Sequence, residues 1–223
     1  VSVISASGVT HHYGPGNPVL RDVDLRVDAG ESVAITGRSG CGKSTLLLCL
    51  AGIIRPDGGR IRVAGVDVIA SEDEELSSLR RDSMGFVFQL GELISELSLL
   101  DNVSLPRELQ GERRAKARSE SLVVMEELGI SSLRDKFPGE VSGGQAQRVA
   151  VARALVHRPS VVFADEPTGA LDEENAEQVL SQLLTITKIH GAALVMVTHD
   201  QGIAAAADRQ VHMADGRLAL VGV

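Results

Sequence analysis

Gly37-Arg38-Ser39-Gly40-Cys41-Gly42-Lys43-Ser44-Thr45 is the stretch from which the fold can be read. Gly37 to Ser44 fit the phosphate-loop pattern G-x-x-x-x-G-K-[ST]. Before them stands Ser32-Val33-Ala34-Ile35-Thr36, a short β-branched apolar run that reads as a buried strand. After them Thr45-Leu46-Leu47-Leu48-Cys49-Leu50-Ala51 is an apolar run of helix formers. Strand, glycine-rich turn and helix together make an anion site. The backbone N–H groups of the turn face inward, and the helix N-terminus adds roughly half a positive charge. In such a loop Lys43 reaches the β- and γ-phosphates of a nucleotide, and the Ser44 hydroxyl holds Mg²⁺. A glycine-rich turn that binds nothing would not need these flanks.

Working outward, 223 residues suit one large domain, or one domain with an inserted lobe. A hydrophobic share of 43% is enough for a substantial core. The longest unbroken apolar stretch, Leu46 to Ile54, includes a glycine, and a membrane-spanning helix needs about 20 residues. Val1-Ser2-Val3-Ile4-Ser5 lacks the charged and apolar regions of a signal peptide, so none is expected. Any membrane role is therefore expected to run through a partner. The net charge of −8 argues against a broad nucleic-acid face. Aromatic residues make up 2% of the chain, too few for a base-stacking platform. If one helix ran through Cys41 and Cys49 they would sit about 12 Å apart along it, too far for a disulfide. Two reduced thiols in a cytosolic protein are the expectation.

Val9 to Tyr13, Val19-Leu20 and Val23 to Val27 read as antiparallel strands, with Gly14 to Pro18 turning between them. Pro56-Asp57-Gly58-Gly59 reads as a hairpin turn, and Arg60 to Ala64 as a strand. Ser71 to Leu79 reads as a helix capped by Ser71, and Met84 to Phe88 as a strand. Leu90 to Leu155 is rich in helix formers, with helices over Glu112–Leu128 and Gly143–Val156. The basic cluster Arg113, Arg114, Lys116 and Arg118 reads as a solvated helix face. From Ser160 strands and helices alternate again: Val161–Ala164, Asp172–Ile189, Ala192–Thr198, Gln210–Met213 and Arg217–Val221, the last two joined at Asp215-Gly216. The expectation is one α/β domain over 1–223. A mostly parallel sheet and an N-terminal antiparallel β subdomain come from 1–89 and 160–223, and a helical lobe is inserted at 90–159.

Strand Val161–Ala164 runs into Asp165-Glu166. A carboxylate at the C-terminal end of a buried strand lies beside the phosphate loop in such sheets. Asp165 suits the Mg²⁺ role, and Glu166 is a candidate general base for the water attacking the γ-phosphate. Alone, Asp-Glu-Pro would be an ordinary acidic turn. Ser142 caps a helix that begins Gly143-Gly144-Gln145, which makes a second anion-binding helix N-terminus in the same chain.

Val141-Ser142-Gly143-Gly144-Gln145, continued by Gln147-Arg148-Val149-Ala150-Val151-Ala152-Arg153-Ala154-Leu155, resembles the signature of ATP-binding cassette (ABC) ATPases. The resemblance covers nearly the whole chain and implies the P-loop ABC ATPase fold. It also implies that Ser142, Gly143, Gly144 and Gln145 of one protomer close on ATP held by the phosphate loop, Gly37 to Thr45, of another. Gln89 then matches the glutamine that senses Mg²⁺ and the attacking water and faces the transporter. Asp172, in Thr168-Gly169-Ala170-Leu171-Asp172, matches the residue that couples the two sites, although it is also a helix N-cap candidate. His199 matches the switch histidine at the γ-phosphate, and Tyr13 the aromatic stacked on adenine. Taken alone, a strand-end Gln or His is simply polar or structural. His11 and His12 read as surface strand residues.

Phe86-Val87-Phe88-Gln89, Leu97 to Pro106 and Ala164 to Asp172 resemble the branch serving macrolide exporters, lipoprotein-release complexes and the cell-division ATPase. Gly91-Glu92-Leu93-Ile94-Ser95 departs from that branch where Asn and Pro are common. The implied function is an ATP-hydrolysing subunit that dimerises with a second copy on MgATP. It would drive a membrane permease of the macrolide-exporter or cell-division type from the cytoplasmic face of the membrane. A regulator that switches a membrane protein without moving cargo, and a soluble ABC ATPase, remain alternatives. A P-loop kinase or GTPase is disfavoured by the signature and by the missing N-K-x-D guanine motif.

Overall fold

The structure, a computed structural model, describes residues 1–89 and 92–220. Leu90 and Gly91, at the start of the expected helical lobe and of the departing segment, lie outside the described residues, as does Val221 of the expected last strand.

Two sheets organise the chain. In the first, β1 (Ser2–His11), β2 (Leu20–Asp28), β4 (Gly58–Val63) and β5 (Val66–Asp67) run antiparallel in the order β2-β1-β4-β5. Their side chains alternate: Ile4, Ala6, Val9, Val23, Leu25, Val27, Ile61 and Val63 are buried while the residues between are more exposed. The second sheet also holds β3 (Ser32–Thr36), β6 (Met84–Phe88), β7 (Val161–Asp165), β8 (Ala193–Val197), β9 (Arg209–Ala214) and β10 (Arg217–Leu220), in the order β10-β9-β3-β8-β7-β6. All its pairings are parallel except β9 with β10.

The middle strands of this sheet are apolar without a break because both faces are covered. Val33, Ile35, Phe163, Val195 and Val197 join a core with the first sheet and α1 (Lys43–Leu50). Ala34, Val162, Ala164, Leu194 and Met196 point the other way. They meet α3 (Leu99–Leu109), α4 (Arg114–Glu127), α5 (Gly143–Leu155) and α6 (Glu173–His190). Helix α2 (Asp73–Ser83) carries Asp73, Glu74 and Glu75 in its first turn and Arg80 and Arg81 in its last, the charge order its dipole favours. Helix α7 (Gln201–Ala205) completes the set. Among the described residues no helix is long and apolar enough to cross a membrane.

Four local expectations are corrected. Pro56 to Gly59 is not a hairpin: Gly58 and Gly59 open β4, whose partner is the distant β1, and the hairpin turns at Ala64-Gly65 into β5. Ser71 does not cap α2. Glu72 is the N-cap, and Ser71 is buried with its carbonyl accepting from Arg55 Nη2 at 2.8 Å. Cys41 precedes α1 rather than lying in it, so Cys41 and Cys49 do not share a helix; both are free thiols. His11 is buried, its ring edge-on to Tyr13 with centroids 4.8 Å apart.

Helix α5 lies so close to β6 that a Cβ on Gly85 would stand 2.2 Å from the Ala154 carbonyl oxygen. The obstacle is backbone, so it cannot swing aside. Gly85→Ala is therefore expected to destabilise the protein by about 2–3 kcal/mol, a fall of roughly 5–10 °C in Tm for a chain this size, read by thermal unfolding.

Candidate functional site

Strand register places the candidate site. Ile35 pairs with Val197, Val197 with Asp165, and Asp165 with Phe88. Four parallel strands thus end side by side, and each continues into a residue singled out in the sequence. Past β3 comes the phosphate loop, past β8 His199, past β7 Glu166, and past β6 Gln89. Ligands of open parallel sheets sit at this carboxyl edge.

The four ends enclose a cavity of about 900 Å³, whose lining includes Tyr13, Lys43, Ser44, Gln89, Glu166 and His199. Ser39, Gly40, Gly42, Thr45 and Asp165 also border it. Gly37, Arg38 and Cys41, the remaining residues of the loop, are not part of the lining. Gly42 caps α1 with φ +109°, a conformation closed to ordinary side chains, and a Cβ there would come 2.8 Å from the Val19 carbonyl oxygen. The buried Lys43 curls back over the loop, its Nζ donating to the carbonyls of Gly37 (2.9 Å) and Arg38 (3.1 Å). A cation held only by neutral carbonyls at a helix N-terminus has the chemistry to bind phosphate oxygens.

Asp165 and Ser44 border the cavity together, and the Ser44 hydroxyl bears on the Asp165 carboxyl. Burial pushes its carboxyl above the usual range, and the charge of Glu166 adds to the rise. The Ser44 hydroxyl and the Lys43 charge pull the other way. A serine hydroxyl and a carboxylate lining one cavity are hard oxygen donors, and the half-buried carboxylate lacks a full counter-charge. This set fits Mg²⁺, which takes few protein oxygens and keeps its waters. Glu166 is a non-glycine residue at φ +47°, an unfavourable conformation of the kind that collects at functional sites. Its Oε1 accepts from His199 Nδ1 at 2.8 Å. A Cβ on Gly169 would lie 3.0 Å from Gln89 Nε2, so the Gln89 amide rests against the turn that follows Glu166. Tyr13, 61% exposed, overhangs the cavity with its hydroxyl 3.4 Å from Thr45 Oγ1.

Ser142, Gly143, Gly144 and Gln145 do not line this cavity. They form the start of α5, where Ser142 Oγ accepts from Gln145 N (3.3 Å) and Gln145 Oε1 from Ser142 N (3.1 Å). This reciprocal cap leaves Ser142 and Gly143 exposed. Asp172 is the N-cap of α6, accepting from Asn175 N at 3.0 Å, and it too lies outside the cavity lining. Asn175 Nδ2 donates to both Asp172 oxygens (3.0 and 2.8 Å), and its own oxygen stands 2.8 Å from where a Gly144 Cβ would be. The exposed start of α5 and the cap of α6 are thereby braced together.

Two contributors were not identified from sequence. Asn175 carries no local signal. Gln147 does: it is a polar residue in the buried stripe Gly144, Gln147, Val151, Ala154 of α5, where an apolar side chain is the rule. Its Nε2 donates to the carbonyls of Phe88 (2.9 Å) and Pro167 (2.6 Å).

Residues 20–169 match the family model described as ABC transporter. The chain is 46% identical over 212 residues to the lipoprotein-releasing system ATP-binding protein LolD of Bordetella pertussis, covering 95% of this chain and 92% of that protein. It is 38% identical over 216 residues to the protein of the same description from Bacteroides thetaiotaomicron, covering 97% and 99%. Among solved structures, the dimeric post-hydrolysis state of the ATP-binding cassette MJ0796, bound to ADP and Pi, superposes with a TM-score of 0.89. That match has 33% identity and covers 99% of both chains.

Proposed function

The chain belongs to the ABC transporter family as an ATP-binding subunit with the P-loop ABC ATPase fold, in the branch of lipoprotein-release and macrolide-export ATPases; from that premise we propose that it hydrolyses MgATP between two copies of itself to drive a membrane permease. One observation carries the reading. The phosphate loop, Asp165, Glu166, Gln89 and His199 share one cavity, while Ser142 to Gln145 present an exposed helix start outside it. One chain thus holds two complementary halves of a phosphate site, and a symmetric pair would unite them twice.

In this reading the loop N–H groups and Lys43 bind the β- and γ-phosphates, and Tyr13 stacks on adenine. Ser44 and Asp165, with Gln89 beyond them, would hold Mg²⁺, which neutralises charge on the transferring phosphoryl group. Glu166 takes the proton of the attacking water, and His199 holds the Glu166 carboxylate in place and reaches the γ-phosphate. Ser142 to Gln145 of the second copy close over the same phosphate, and Asp172 links the two sites. The segment 90–159 acts as a helical lobe on an α/β core formed by 1–89 and 160–223.

The permease is of the branch that also includes the cell-division system, with the subunit on the cytoplasmic face of the membrane. The lipoprotein-releasing role named for the relatives supports a lipid-anchored cargo. No role for nucleic acid is proposed. Lys43→Ala tests the core of this reading. ATP affinity is expected to fall by roughly a hundredfold or more, since a charge-assisted contact to phosphate is lost. Equilibrium binding of a fluorescent ATP analogue measures it, and an unchanged Kd would remove the loop from the nucleotide site.

A further inference from the structure

Gln147 is only 2% exposed, yet it is polar and sits on the core face of α5. Its amide nitrogen has two N–H groups, and two carbonyls take them: Phe88 O at 2.9 Å and Pro167 O at 2.6 Å. Neither carbonyl is incidental. Phe88 is the last residue of β6 and directly precedes Gln89. Pro167 directly follows Glu166 in the turn leaving β7. The two strands are paired up to Phe88 and Asp165 and then part. At the point of parting, the Gln147 amide bridges them. The same helix reaches the chain again beyond Gln89, where Arg153 Nη1 donates to the Glu92 carbonyl at 2.9 Å. Its exposed start at Ser142 lies five residues from Gln147, about 7.5 Å along the axis.

We propose that Gln147 is a positioning residue for hydrolysis: it fixes the Gln89 and Glu166 backbones relative to each other and ties both to the helix whose N-terminus meets the second nucleotide. It touches no substrate. It acts because a shift of α5, imposed at Ser142, is transmitted through one rigid amide to the two strand ends that carry the water-handling groups. The inference rests on the proposed ATPase reading of the site.

The test compares the full-length wild-type chain with Gln147→Met, which keeps length and loses both donors, and Gln147→His, which keeps one N–H. Gln147→Met is expected to lower kcat by about ten- to a hundredfold, in line with small misplacements of catalytic groups, while KM for ATP stays within about twofold. Gln147→His is expected to be intermediate, and it carries the test if the Met variant does not fold. Hydrogen exchange is the second readout. Amides of Glu166, Thr168 and Gly169 should exchange faster in the variants, with α1 and β3 unchanged.

Wild-type kcat per folded molecule in Gln147→Met would overturn the proposal. So would equal changes in kcat and KM, or faster exchange spread evenly along α5 and β7, which marks general loosening. If the wild-type chain itself turns over no ATP, the ATPase reading fails, and the exchange pattern alone decides whether Gln147 holds the two strand ends.

Discussion

Glu166→Gln is expected to lower ATP turnover by at least a hundredfold, roughly the contribution of a general base, while ATP binding is kept or tightened. The substitution preserves shape and removes the carboxylate proposed to take a proton from water. Binding is not expected to depend on it, because in the proposed site the phosphates would be held by loop N–H groups and by Lys43, which lies 2.9 and 3.1 Å from the loop carbonyls. Loss of a negative charge beside Asp165 and an anionic ligand also removes repulsion. ATP that binds and is not cleaved holds the two copies together, so the variant should accumulate as a dimer in the presence of MgATP. Phosphate release and size-exclusion chromatography measure the two effects. Undiminished turnover would remove Glu166 from the base role and leave His199, its hydrogen-bond partner, to be tested next.

Ser142→Arg is expected to reduce turnover by roughly a hundredfold while the monomer binds ATP as before. Ser142 is exposed and lies outside the nucleotide cavity of its own chain, so a bulky cation there does not reach the Lys43 loop. The lost cap costs about 1 kcal/mol, which a chain with two extensive cores can absorb. The damage falls on closure over the partner's nucleotide. A variant with impaired ATP binding as a monomer would contradict this, since it would put Ser142 in the site of its own chain.

Much of this was legible in the sequence, for identifiable reasons. Strands β3, β6 and β7 carry apolar runs bounded by glycine, acidic or polar residues, and the runs mark their ends to within a residue. The phosphate loop is specified by its own local chemistry. The sequence misleads where a distant partner decides the structure. Gly58-Gly59 looks like a hairpin turn, but β4 is recruited by the distant β1, as in the pairing of Ile61 with Ala6, 55 residues upstream. Ser71 looks like a cap, but three acids already stabilise the start of α2 and Ser71 is needed at Arg55. His11 reads as a surface residue because it is polar, yet it shares the buried face of β1 with Val9, two residues before it, and Tyr13 packs edge-on against it. For the site, order along the chain identified the residues past the four strand ends, but their convergence follows from register, which no single segment carries. Gln147 was visible only as a polar residue on a buried face, and its two carbonyl partners come from elements 59 and 20 residues away.

If the phosphate loop of one copy meets Ser142 of another, a short cross-linker should join the two. In a Glu166→Gln background with Cys41→Ser and Cys49→Ala, one chain carries Ser39→Cys and a differently tagged chain carries Ser142→Cys. Treated with a short bis-maleimide, the mixture should give a covalent heterodimer with MgATP and none without nucleotide. ATP bound without any heterodimer product, or a link formed within single chains carrying both cysteines, would mean that the loop and Ser142 do not meet between copies.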